Sequence, residues 1–96
     1  MGGVSRAEKF AFKLLGHGYG EFVSKRDGFV IVKMRENGAT TIVWIRQNPI
    51  TREALEFFKK VISKYEYDKL VLIKLYREAD YVKYSDLKLF DEIRYA

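Results

Sequence analysis

The chain of 96 residues contains no cysteine and a single histidine. The absence of cysteine excludes disulfide bonds and thiolate metal sites, and one histidine cannot build a multi-histidine metal site. No uninterrupted apolar run approaches the roughly 20 residues that span a bilayer. The first residues also lack the apolar segment of a secretory signal. We therefore predict a cytoplasmic protein with no membrane partner.

Asparagine and glutamine are also scarce, with three residues between them, whereas charged residues make up 32% of the chain. This balance resembles that of proteins from very hot environments. Because a chain of 96 residues can form one modest hydrophobic core, we expect residues 1–96 to form a single domain. The excess of 18 Lys and Arg over 13 Asp and Glu gives a net charge of +5, which favours polyanions without identifying one.

A hairpin is the strongest local signal in the sequence. Residues 30–34 and 40–45 are rich in β-branched and aromatic side chains, and Asn37-Gly38 lies between them. Tight hairpins favour this dipeptide because both residues tolerate a positive φ. A shorter strand at 21–25 and a turn at 26–28 precede the hairpin, so we predict a three-stranded antiparallel meander.

A first helix is predicted to begin after Ser5, because Ser5 and Glu8 have the spacing of a capping box. We expect Gly16 to end this helix in the left-handed conformation. Apolar residues recur between these ends at helical spacing, with two more that widen the stripe: Ala7, Phe10, Ala11, Leu14, Phe12 and Leu15.

The glycine-rich stretch at 16–20 has the composition of a phosphate-binding loop. Such a loop lies between a strand and the start of a helix, whereas these glycines follow a helix and precede a strand. We therefore interpret the stretch as a turn and His17 as an exposed loop residue.

A second helix should begin near Pro49, which fits a first helical turn, with Asn48 or Thr51 as the N-cap. Residues 69–75 form a continuously apolar strand, typical of one buried on both faces. The crossover makes this fourth strand parallel to the third. The apolar face of the second helix comprises Ala54, Phe57, Phe58, Val61, Ile62 and Tyr65.

The tail is predicted to hold a short edge strand at 79–84 and a last helix capped by Ser85-Asp86. The predicted fold class is thus α/β: a helix, an antiparallel meander, a crossover helix and a parallel fourth strand, with helices flanking a mixed sheet. The last helix would carry Leu87, Leu89, Phe90 and Ile93.

This order of elements, with Asp-Gly-Phe-Val-Ile-Val on one strand and Thr-Ile-Val-Trp-Ile-Arg-Gln on the next, resembles the PD-(D/E)xK nuclease superfamily. Within it the sequence is most similar to Mrr-type restriction endonucleases and archaeal Holliday junction resolvases. The resemblance covers roughly residues 5 to 90 and implies a restriction-endonuclease-like fold.

The resemblance also implies a set of site residues. In that superfamily a helix glutamate, a strand aspartate and a Glu-x-Lys or Gln-x-Lys on the third strand converge on a divalent metal, Mg²⁺ or Mn²⁺. Glu8 and Asp27 match the first two positions and are the candidate metal ligands. Trp44 stands where the acid should be, Arg46 stands where the lysine should be, and Gln47 follows.

The third strand therefore keeps the family spacing but changes its chemistry. Residues two apart on a strand point to one face, so Trp44 and Arg46 would share a face. An indole N–H cannot ligate Mg²⁺, and an arginine that stays protonated is poorly suited to deprotonating water. The candidate catalytic positions Glu8, Asp27, Arg46 and Gln47 thus form a degenerate motif.

Each of these residues also has a purely structural interpretation. Glu8 is explained by the capping box and Asp27 by the turn that it starts. Trp44 would pack in the core under a helix. Arg46 would be solvated at a strand end, or would form a salt bridge with Asp27.

Basic side chains supply the candidate nucleic-acid contacts, since they neutralise phosphates and release counterions. They fall on the meander and on the second helix: Lys25, Arg26, Lys33, Arg35, Arg46, Arg52, Lys59 and Lys60. Tyrosines near element ends could instead stack bases or serve a protein partner or a homodimer: Tyr65, Tyr67, Tyr81 and Tyr84.

We therefore predict a nuclease-like domain that binds DNA or a nucleic-acid-processing partner and does not cleave. One alternative is an active Mg²⁺- or Mn²⁺-dependent endonuclease whose missing acid comes from Glu53 or Glu56. The other alternative is a protein interaction module that does not bind nucleic acid.

Overall fold

The computed structural model describes residues 4–16, 19–26 and 29–96. Within these ranges no helix is long and apolar enough to cross a membrane. The elements are α1 (Arg6–Leu15), β1 (Tyr19–Arg26), β2 (Phe29–Glu36), β3 (Ala39–Arg46), α2 (Arg52–Ile62), β4 (Lys69–Lys74), a 3₁₀ turn (Tyr84–Leu87) and β5 (Glu92–Tyr95).

The strands form one mixed sheet in the order β1-β2-β3-β4-β5. Antiparallel pairing joins β1 to β2 and β2 to β3, whereas β3 pairs with β4 and β4 with β5 in parallel. The predicted α/β class, the antiparallel meander and the parallel fourth strand are therefore confirmed.

The two faces of the sheet carry separate layers of core, because side chains alternate along each strand. On β3, Trp44 contributes to the layer under α2 and the 3₁₀ turn, and Ile45 contributes to the layer under α1. We call these sides the α2 face and the α1 face. Both residues are fully buried. The sheet is thus a central layer with a helix on each side, as predicted.

Helix α1 begins as predicted and ends differently. The Ser5 hydroxyl accepts a hydrogen bond from the Glu8 N–H at 3.2 Å, which confirms the cap. Gly16 has a φ of −69°, so the predicted left-handed ending is wrong. Its N–H donates to the Phe12 carbonyl at 3.1 Å, which closes the last turn in the right-handed conformation.

Two further predictions are confirmed: the tight turn between β2 and β3, and the N-cap of α2. Asn37 and Gly38 have φ values of 53° and 82°, as the tight hairpin between β2 and β3 requires. The Thr51 hydroxyl accepts from the Ala54 N–H at 3.1 Å and so caps α2. Strand β1 is less regular, because its register with β2 shifts between Phe22 and Ser24, which marks a β-bulge.

The predictions for the tail are wrong. No strand forms at 79–84, the predicted helix is reduced to one 3₁₀ turn, and a fifth strand follows. Asp91 starts that strand: its N–H donates to the Leu70 carbonyl, and its carboxylate accepts from the Leu70 N–H, both at 2.8 Å. The alternation in Glu-Ile-Arg-Tyr then suits an edge strand, with Ile93 packed against the core.

Candidate nucleic-acid interface

One end of the sheet carries a row of basic and aromatic side chains. Successive strands are in register there, so that the row runs across all five strands. It lies on the α2 face, where the Arg26 guanidinium stacks 4.7 Å from the centre of the Phe57 ring. We call this row the basic edge: Arg26, Phe29, Arg46, Lys74 and Tyr95.

Both helices begin at the basic edge. The Ala7 N–H in the first turn of α1 donates to the Gln47 side-chain oxygen at 3.0 Å, directly after β3. Helix α2 starts at Arg52, six residues after β3 ends at Arg46. A helix N-terminus carries partial positive charge, so the two helix dipoles add to the positive potential of the arginines and the lysine.

A buried ion pair lies within this edge. Lys74 Nζ is 2.6 Å from Asp80 Oδ2, and the two side chains are 9% and 8% exposed. The other Asp80 oxygen accepts from the Ile50 N–H at 2.9 Å and from the Tyr76 hydroxyl. Through these hydrogen bonds, Asp80 connects the loop after β4 to the segment that leads into α2.

The ionisation of this cluster follows from its burial and hydrogen bonds. Burial raises the pKa of Asp80, but the hydrogen bonds from Ile50, Lys74 and Tyr76 outweigh it and leave that pKa below its usual value. Burial and the hydrogen bond to Asp80 raise the pKa of Tyr76. Asp80 is therefore a carboxylate and Tyr76 a neutral donor at neutral pH.

Arg46 is held in place at the end of β3. Its Nη2 donates to the Pro49 carbonyl at 3.1 Å, and its guanidinium lies 6.0 Å from the ring centres of both Phe29 and Trp44. Burial lowers the pKa of Arg46, while the nearby Tyr76 and Asp80 act against this. The Nε atom is buried and has no hydrogen-bond partner among the described residues.

The structural interpretation of Trp44 is confirmed, because its side chain is fully buried and stacks on Phe58 with 4.4 Å between ring centres. The Gln47 side-chain oxygen accepts a hydrogen bond from the Ala7 N–H of α1, so this oxygen is not free to bind a metal. Glu8 lies on α1 and hence on the α1 face, whereas Arg46 points to the α2 face. Asp27, like Gly28 and His17, lies outside the described residues.

These positions offer poor ligands for a divalent metal. The described residues contain no group of three or more His, Cys, Asp or Glu side chains able to hold one. Mg²⁺ requires several hard oxygen ligands, yet Trp44 and Arg46 provide N–H donors alone and Gln47 is engaged. The described residues do not fit the metal that the resemblance implies, and the ligand role of Glu8 and Asp27 stays a prediction.

The predicted basic contacts fall into two groups. Lys25, Arg26, Arg46 and Arg52 lie at the basic edge or beside it, because β1 and β3 end there and α2 begins there. The others lie further along β2 and α2, and two of them are paired with acids. Lys33 Nζ is 3.4 Å from Glu21, and Lys59 Nζ is 3.8 Å from Glu56. The second group is Lys33, Arg35, Lys59 and Lys60.

The opposite end of the sheet is held together by exposed carboxylates. It contains the Asn37-Gly38 hairpin and the start of β4, and we call it the hairpin end. Carboxylates there accept backbone N–H groups, as Asp68 does from Thr40 and Asp91 does from Leu70, both at 2.8 Å. Glu36 and Glu66 add further negative charge. Arg35 and Lys69 also lie at this end, and Lys69 Nζ is 3.3 Å from Glu92, so the hairpin end carries charges of both signs.

A polar cleft of about 580 Å³ opens beside the basic edge on the α1 face. It lies where β3, β4 and β5 end, which is where open α/β sheets commonly bind ligands. Two guanidinium groups, two carboxamides, a phenol and one carboxylate line it: Arg6, Arg77, Gln47, Asn48, Tyr76 and Glu78. The edge thus presents polar donors on both faces of the sheet.

Sequence reasoning did not find Lys74, Tyr76 or Asp80. The available signal was a lysine that closes an otherwise apolar strand, since such a residue is rarely buried without a partner. Comparison of the chain with models of protein families, with curated proteins and with solved structures gave no match.

Proposed function

We propose that the protein is a restriction-endonuclease-like domain that binds DNA through the basic edge and does not cleave it. The observation that supports this most directly is the convergence of Arg26, Arg46, Lys74 and the N-termini of both helices at one end of the sheet. This end also carries the degenerate third-strand motif. The order of helix, meander, crossover helix and parallel strand agrees with the fold that the sequence resemblance implies.

Binding would depend on phosphate contacts. Arg26 and Arg52 are exposed, with Arg52 Nη2 3.9 Å from Asp86, and an arginine can bind one phosphate with two parallel hydrogen bonds. Such contacts release counterions from the nucleic acid, so the affinity falls steeply with salt and depends little on sequence. Lys74 contributes less, because Asp80 neutralises it.

Cleavage is not proposed because the third strand lacks the required groups. Trp44 is stacked in the core, so its indole cannot approach a metal or a phosphate. The Arg46 guanidinium keeps its proton at ordinary pH and donates to the Pro49 carbonyl. A residue in this state can bind an anion but cannot act as a general base.

Two double variants with the same change in charge test the location of the site. Arg26→Glu with Arg52→Glu changes the basic edge, and Arg35→Glu with Lys60→Glu changes the second group of basic residues. Fluorescence anisotropy with duplex, branched and single-stranded DNA at low salt would measure the affinity. We expect at least a tenfold loss for the first variant, about 1.4 kcal/mol, and less than about a threefold loss for the second.

Three outcomes would overturn this proposal. The first is failure of the wild type to bind any of these DNA forms at low salt. The second is an equal loss of affinity in both double variants. The third is cleavage that requires Mg²⁺ or Mn²⁺ and is abolished by Asp27→Ala, which would establish an active endonuclease.

A further inference from the structure

Two tyrosines of the loop after β4 project into solvent beside the start of α2. Tyr81 and Tyr84 are each 77% exposed, although large aromatic side chains usually bury most of their surface. Tyr76, from the same loop, is buried, and only 7% of its surface is exposed. The exposure of the two rings is therefore specific to their positions and is not shared by every tyrosine of the loop.

The backbone that carries these rings is anchored at several points. Asp80 accepts from the Ile50 N–H, and the Tyr81 N–H donates to the Ile50 carbonyl, both at 2.9 Å. Val82 packs against the core on the α2 face. The Lys83 N–H donates to the Asp86 carboxylate at 3.0 Å. The rings are thus exposed on a fixed scaffold, which reduces the entropy lost when a ligand covers them.

Two cationic side chains, Lys83 and Arg52, lie in or beside the segment that carries these rings. Lys83 lies between the two tyrosines in sequence, and Arg52 Nη2 is 3.9 Å from the Asp86 carboxylate that fixes their segment. The basic edge adds Tyr95, which is 60% exposed and lies 5.4 Å from Lys74 Nζ. Exposed aromatic faces beside positive charge are the arrangement that binds single-stranded nucleic acid, in which bases stack and cations contact the backbone.

We propose that Tyr81 and Tyr84 stack on unpaired bases, so that the preferred ligand is a single-stranded nucleic acid or a single-stranded segment of a larger one. This inference rests on the proposed nucleic-acid function. A regular duplex cannot use the two rings, because its bases are already stacked on one another. Lys83 and Arg52 can contact the backbone phosphates of such a strand, whereas an apolar protein surface offers them no partner.

The probe is an oligothymidylate in three forms: intact, with the bases replaced by abasic sites, and paired as a duplex. The test variant is Tyr81→Ala with Tyr84→Ala, and the control is Tyr67→Ala, which removes a 41% exposed tyrosine before β4. We expect the double variant to bind the intact single strand at least tenfold more weakly, since a stacked base contributes about 1 to 3 kcal/mol. Abasic and duplex affinities should change less than about threefold.

The companion variant Tyr81→Phe with Tyr84→Phe retains the rings and should bind the single strand as the wild type does. Equal affinity of the wild type for intact and abasic strands would overturn the stacking inference while leaving phosphate binding intact. Self-association of the wild type that is lost in the alanine variant would overturn it in favour of a homodimer surface. Absence of binding to all three probes would overturn the proposed function as well.

Discussion

Asp80 and Asp91 make the same hydrogen bond at opposite ends of the sheet. Asp80 accepts the Ile50 N–H at 2.9 Å at the basic edge, and Asp91 accepts the Leu70 N–H at 2.8 Å at the hairpin end. Asp80 is buried against Lys74, whereas Asp91 is exposed. One carboxylate therefore holds a buried network together, and the other fixes the start of a surface strand.

The same contrast holds for the two ends as a whole. At the hairpin end, the Asn37-Gly38 turn is exposed, and the exposed carboxylates of Asp68 and Asp91 each accept one backbone N–H. At the basic edge, β3, β4, β5 and both helix N-termini meet, and the Lys74–Asp80 pair buried there is joined by hydrogen bonds to Ile50 and Tyr76. Three predictions test this difference, and their expected effects decrease in the order given.

The largest expected effect is that of Asp80→Asn. The amide can still accept the Ile50 N–H, but it leaves the Lys74 ammonium buried without an opposite charge. Removal of one partner from a buried ion pair costs about 3 to 5 kcal/mol. Chemical denaturation should show a loss of this size in the free energy of unfolding.

The matched control is Asp91→Asn, which keeps a hydrogen-bond acceptor at the exposed position and should cost less than about 1.5 kcal/mol. Equal losses for the two variants would show that burial of the Lys74–Asp80 pair does not distinguish the two ends. The double variant Asp80→Asn with Lys74→Met should recover stability relative to Asp80→Asn, because it removes the unpaired charge.

A smaller effect is expected for Gly38→Ala at the hairpin end. Gly38 has a φ of 82°, a conformation that costs an L-residue about 1 to 2 kcal/mol. No heavy atom lies within 4 Å of the added Cβ, so the loss would come from the backbone alone. Thermal unfolding should detect it, and an unchanged midpoint would contradict the conformational explanation.

The smallest expected effect is a decrease, at low pH, in the stability that Asp80 contributes. Because the pKa of Asp80 is lowered in the folded protein, its stabilising contribution is present above the unfolded-state pKa of about 4 and is lost as the pH falls through the folded-state pKa. The stability difference between wild type and Asp80→Asn should therefore remain constant from pH 7 to about 5 and decrease below about 4. A difference that did not change with pH would contradict this assignment.

The sequence predicts the elements that obey local rules. Asn37-Gly38 specifies the hairpin, Thr51 caps α2, and the apolar run at 70–73 becomes a central strand. The predicted left-handed ending at Gly16 is wrong because a right-handed last turn closes the helix equally well. The prediction for the tail is also wrong, because Asp91 initiates β5 through a contact with Leu70 that no local sequence pattern predicts.

The site could be predicted in part. The burial of Trp44 followed from its size and from its place on a central strand, and the position of Arg46 at a strand end followed from the hairpin register. The Lys74–Asp80 pair could not be predicted, because it forms when the loop after β4 returns to the end of that same strand. The loop that carries the exposed Tyr81 and Tyr84 is held by the same long-range packing, because the Tyr81 N–H donates to the Ile50 carbonyl.

The β-bulge in β1 has a consequence for how copies of the protein can meet. The outer strands β1 and β5 are open edges, and a regular open edge can pair with a strand of another molecule. The bulge between Phe22 and Ser24 interrupts one edge, and the other is four residues long with Glu92 and Arg94 paired along it. Both edges therefore disfavour the addition of a strand from another copy of the protein, so a continuous sheet between copies is not expected.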